Sequence, residues 1–183
     1  SQVIDMSSPL GPKQIVKHAL EGRGVGPLFR YLAAGAKKEP WLEVHTESRW
    51  LRGFNEDGWN EAWATAAEIC RGRPELAGMI GSSWFYDPPL TEISPRLAHL
   101  RVNPLKGGAF MVHQGPGEIH TLRAGTASAS RKALIDSGEY VARSWLMVWP
   151  RKELIAWVDQ RKAQGLGRSP AIGFAGQHRM LRR

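Results

Sequence analysis

The chain has 183 residues, 42% of them apolar and 23% charged, enough for one sizeable core. No apolar run approaches the ~20 residues that cross a bilayer, so no membrane span is expected. The opening Ser1-Gln2-Val3-Ile4-Asp5-Met6 also lacks the basic-then-apolar order of a secretory signal.

A single cysteine, Cys70, excludes an internal disulfide and a cysteine-rich metal site, and fits a reducing, cytoplasmic setting. Net charge is +8, spread unevenly as +3 over residues 1–39, −5 over 40–92 and +10 over 93–183. The basic half can attract RNA, DNA, a phosphorylated cofactor or an anionic membrane face, or serve only as solvated surface.

Residues 12–21 carry Ile15, Val16, Ala19 and Leu20 at helical spacing, and Gly22-Arg23-Gly24-Val25-Gly26 ends the run. Pro27 suits the first turn of a second helix reaching about Ala34. A strand is expected over 41–46. Asn55 is a good N-cap, and Glu56 and Asp57 follow it at the positive helix end. Trp59, Ala62, Trp63, Ala66, Ile69 and Cys70 then form one apolar stripe, ended by Gly72 and Pro74. Cys70 on that stripe reads as a buried small hydrophobe.

A strand is expected over 78–86, cut off at Asp87-Pro88-Pro89 because proline removes a ladder donor and restricts its predecessor. Residues 90–100 suggest a short helix, 107–114 a strand, 118–124 a further strand and 128–137 a helix. Residues 143–149 form a strong strand candidate, and 152–162 fit a helix with Leu154, Ile155 and Val158 on one face. From residue 164 the chain is glycine-rich and basic. Domain organisation is therefore one α/β unit over 1–163 and a basic, flexible tail over 164–183. Alternating helices and strands predict a mixed central sheet flanked by helices.

Ser83, Trp84, Tyr86 and Asp87 crowd the carboxyl end of the 78–86 strand, where ligands usually bind in open α/β sheets. His45, Arg49, Asp87, Arg96, Arg131 and Arg151 fall at or beyond element ends. Arginines there can hold a phosphate or carboxylate, or simply fasten loops. The six histidines show no i, i+4 pair, and no metal site is expected. Gly81-Ser82-Ser83-Trp84 is not a nucleophile elbow. The tryptophans at 59, 63, 145, 149 and 157 fall at core spacing rather than as a base-stacking platform.

The stretch from Ile15 to Gly26, ending Glu21-Gly22-Arg23-Gly24-Val25-Gly26, resembles the acyl-CoA loop of the GNAT acyltransferase superfamily. That loop reads Arg/Gln-x-x-Gly-x-Gly/Ala between a strand and a helix, and Glu21 stands at the leading position here. The later order of elements is similar to that superfamily's second half, with an extra helix near 128–137. The resemblance implies an acyl-CoA or acyl carrier thioester as donor, held by backbone amides at Gly22, Arg23, Gly24 and Gly26. It implies that the splayed strands 41–46 and 78–86 flank the acyl chain. It further implies Glu43 or His45 as general base towards an amine acceptor, small molecule or peptide, and Tyr86 as proton donor to the leaving thiolate. Ser83, Trp84, Asp87, Arg96 and Arg131 are the candidate substrate contacts. A concave pocket lined by Glu43, His45, Trp84, Tyr86 and Asp87 follows. A nucleic-acid-binding module or a non-catalytic scaffold is the competing expectation.

Overall fold

The computed structural model describes residues 2–8, 10–34, 40–46 and 54–166. Arg49 and the tail beyond 166 therefore lie outside the described residues. Five strands, β1 (Gln2–Ser8), β2 (Trp41–Thr46), β3 (Gly78–Ser83), β4 (Phe110–Pro116) and β5 (Arg143–Pro150), form one sheet in the order β1-β2-β3-β5-β4. β2 and β3 are parallel and joined through a helix, while the other neighbours are antiparallel. The protein is thus α/β, with a mixed sheet flanked by helices.

Alternation along the strands sends side chains to two cores. Leu42, Val44, Met79, Met111, Met147 and Trp149 pack on one side against α3 (Glu56–Gly72) and α8 (Arg151–Ala163). Trp41, Ile80, Phe110, Val112, Leu146 and Val148 pack on the other against Ile15 of α1 (Pro12–Leu20) and Tyr31 of α2 (Gly26–Ala33). The Tyr31 hydroxyl donates to the Leu10 carbonyl at 2.7 Å, tying α2 to the chain before α1.

α3 forms where its local signals ask. Asn55 Oδ1 accepts from Gly58 N at 2.9 Å, satisfying one orphan amide of the first turn. Trp59, Trp63, Ala66, Ala67 and Cys70 are buried along its inner face. Trp63 meets Trp59, Trp149 and Trp157 with ring centroids 5.7–5.8 Å apart, an aromatic wedge between α3, β5 and α8. Burial pushes the Cys70 thiol up to about 11, so it acts as a small hydrophobe and not as a nucleophile.

Several expected boundaries move. β3 stops at Ser83 instead of 86, because Ser83 Oγ accepts from Phe85 N at 3.1 Å and turns Trp84–Tyr86 into one 3₁₀ turn. The 90–100 helix is broken by Pro95 into α4 (Leu90–Ile93), a 3₁₀ turn at Pro95–Leu97 and α5 (His99–Lys106). Residues 118–124 are helical, not extended: α6 (Glu118–Thr126) starts after Gly117 with Glu118 in its first turn, and packs against α7 (Ala129–Asp136). β1 has no counterpart in the sequence reading. It is held by its pairing with β2, with Ile4 opposite Val44 and Asp5 opposite Glu43. Among the described residues no helix is long and apolar enough to cross a membrane.

Candidate functional site at the carboxyl ends of the parallel strands

The parallel pair is short. Ladder pairing joins Leu42 with Met79 and Glu43 with Ile80, then ends, although β2 continues to Thr46 and β3 to Ser83. β3 meanwhile stays paired to β5 as far as Ser83 opposite Trp145. The carboxyl ends of β2 and β3 thus part company, and a cavity of about 1360 Å³ opens there. His45, Ser82, Ser83 and Trp84 line its strand end. Pro95–Leu97 and α5 supply Arg96, His99 and Asn103, and α6 and α7 supply His120, Arg123 and Arg131. Its volume exceeds the ~300–1,000 Å³ of an ordinary small-ligand pocket.

His45 is exposed at the rim, its Nε2 3.7 Å from Glu43 Oε1 two residues back on the same strand. Ser83 Oγ accepts from Phe85 N, which leaves its own hydroxyl proton for a cavity partner. Trp84 is buried, and its ring lies beneath the Arg131 guanidinium at 5.1 Å. Arg131 is 1% exposed. Its Nε donates to the Ala124 carbonyl at 3.0 Å and its Nη1 to Ser94 Oγ at 2.9 Å. Arg96 and Arg123 are exposed on the same walls.

Sequence reasoning did not single out His99, His120, Arg123, Glu56 or Asn103 at this cavity. His99 is half-buried and bonds the Arg96 backbone, and its Nε2 is enclosed without a partner. Burial holds its imidazole below the ordinary histidine value, with the Glu56 charge and that backbone bond pulling the other way. Glu56 Oε1 itself accepts from Asn103 Nδ2 at 2.9 Å. Arg123 and His120 were hidden because their segment, following the Gly115-Pro116-Gly117 turn, reads as the next strand. As a helix it turns both towards the cavity.

Two expected site residues point away from it. Tyr86 is 3% exposed and belongs to the core, its hydroxyl 3.2 Å from where a Cβ on Gly81 would lie. Burial pushes that phenol well up, making it a poor proton donor. Asp87 is 1% exposed and fully engaged. Its Oδ2 accepts from the Tyr140 hydroxyl and from Arg143 N, both at 3.1 Å, and its Oδ1 accepts from Trp145 Nε1 at 3.0 Å. Asp87 therefore fastens the Asp-Pro-Pro turn to the start of β5. Arg151 also leaves the constellation. β5 runs antiparallel to β3, so Pro150 lies opposite Gly78 and Arg151 sits at the far end of the sheet, donating to the Cys70 carbonyl.

The glycine loop is elsewhere too. It follows a helix, and the amides of Glu21, Gly22 and Arg23 bond to Lys17, Ala19 and His18 carbonyls, closing α1. Gly22 and Gly24 take positive φ of 71° and 102°, as a reversing loop requires. None of Gly22, Arg23, Gly24 or Gly26 lines the cavity. Instead the last turn of α1, just before the loop, docks on the edge strand β4. His18 Nδ1 accepts from the His113 amide at 3.0 Å, and both imidazoles pack edge-on against Trp145. Among the described residues no cluster of metal-ligating side chains occurs. No family model matches the chain, nor does any curated protein or solved structure.

Proposed function

We propose that the protein is an acyltransferase of GNAT-like architecture, moving an acyl group from a CoA or carrier-protein thioester to an amine in the cavity at the ends of β2 and β3. The observation that carries this reading is the early end of the parallel ladder, with an imidazole beside a carboxylate at the opening. A thioester lying between the separated strand ends would find unspent backbone edges to bond. His45 takes the proton from the attacking nitrogen, and Glu43 orients and stabilises the imidazolium. The C–N bond forms, the C–S bond breaks, and the thiolate receives the proton that His45 took from the amine, returned by its imidazolium. Tyr86, enclosed in the core, has no part in that transfer.

Thiol release from acetyl-CoA, medium- and long-chain acyl-CoA and an acylated carrier protein, with and without a panel of amines, tests the reading. We expect acceptor-dependent release that falls about 10²–10⁴-fold in His45→Ala while the melting temperature holds. If no donor is consumed and none raises the melting temperature, the proposal fails. Retention of full activity in His45→Ala would remove the assigned base.

A further inference from the structure

Arg131 is a buried cation whose known partners are all neutral. A guanidinium carries five N–H donors, and here one serves a carbonyl and one a hydroxyl. Its face rests on Trp84. Among the described residues no carboxylate pairs with it, and the neighbouring formal charge is that of Arg96, which repels it. Burial and Arg96 together press its pKa down, with only the Tyr140 phenol acting the other way. An enclosed guanidinium is costly unless a countercharge completes it.

The same cavity receives Arg96 and Arg123. The carboxylate among its described lining residues is Glu56, already bonded by Asn103. Three guanidiniums from the Pro95–Leu97 turn, α6 and α7 thus face one space. The strand ends supply a different wall, with His45, Ser82 and Ser83.

We propose that Arg131, with Arg96 and Arg123, forms an oxyanion subsite that seats a carboxylate or phosphate group of the acceptor, so that the acceptor is an anionic amine. Planar guanidinium donors match both groups in a bidentate fashion, and the Trp84 face holds the Arg131 plane in register. The anion supplies the missing countercharge and fixes the amine relative to His45. This identification of the acceptor rests on the transfer reading, but the anion subsite itself does not.

Titration with inorganic phosphate and with malonate, against chloride at equal ionic strength, tests it through tryptophan fluorescence and melting temperature. We expect saturable binding of phosphate or malonate, with the tighter of the two naming the acceptor's group. Binding should weaken about ten- to hundredfold in Arg96→Ala and in Arg131→Met. Phosphate and malonate behaving like chloride would overturn the subsite. So would wild-type affinity in both Arg96→Ala and Arg123→Ala, which decide the matter if Arg131→Met fails to fold. Anion binding without any acyl transfer would leave the subsite standing and the transfer reading fallen.

Discussion

Arg101 and Arg131 are both guanidiniums set over tryptophan rings, 5.3 Å from the Trp145 centroid and 5.1 Å from that of Trp84. Burial lowers the pKa of each. The second influence differs in sign: Asp87 attracts Arg101, whereas Arg96 repels Arg131. Arg101 donates to the Tyr86 carbonyl and completes a closed knot around Asp87. Arg131 faces a cavity with donors left over. Burial by itself therefore does not mark a binding residue. The charge balance around the buried group does.

The largest effect should come from breaking the closed side. Asp87→Ala orphans the Tyr140 hydroxyl, the Arg143 amide and the Trp145 indole, and strips Arg101 of its countercharge. We expect a loss of about 3–5 kcal/mol in urea unfolding. Arg101→Met should cost less, about 1–3 kcal/mol, because Asp87 keeps its three donors. Arg131→Met should fall within about 1 kcal/mol of wild type, since removing an uncompensated cation offsets two lost hydrogen bonds. If Arg131→Met destabilised as much as Asp87→Ala, Arg131 would be a structural tie and the contrast would collapse.

The gentlest probe is pH. Burial holds His18 and His113 beside Trp145, and His99 and His120 on the cavity, below the ordinary value of 6.5. The unfolded chain therefore binds protons that the folded chain refuses. Stability is fully present above the unfolded value and declines as pH falls through about 6.5, levelling off below the folded values. We expect the melting temperature to drop between about pH 7 and pH 5, and His99→Gln to show a shallower drop. A flat profile would mean that these imidazoles protonate without cost in the fold.

Much of the scaffold was legible because its signals are local. The Asn55 cap, the Trp59–Trp63 spacing and the Gly72 stop define α3 within one stretch of chain. The hydrophobic run before Pro150 did the same for β5. Where the reading strayed, a competing nearby hydrogen bond or the packing of neighbouring helices had won. Residues 118–124 follow a Gly-Pro-Gly turn that suggests a hairpin, yet they fold as a helix against α7. Ser83 drew Phe85 into a turn where large side chains suggested more strand. The glycine loop offered amides for a phosphate, but α1 claims three of the loop's amides for its own last turn.

At the site, composition and order located the carboxyl end of β3 as the place to look, and named His45, Ser83, Trp84, Arg96 and Arg131, all of which line one cavity. Residue type could not say which neighbours turn inward. Tyr86 and Asp87 follow Trp84 closely in the chain, yet a single 3₁₀ turn buries both away from the cavity, while Trp84, also buried, reaches its wall. Helix caps, periodicity and proline stops act over a few residues, so the sequence determines them by itself. The parting of β2 from β3, and the meeting of arginines from three separate segments, depend on how the sheet pairs and the helices dock. Only the tertiary structure decides those.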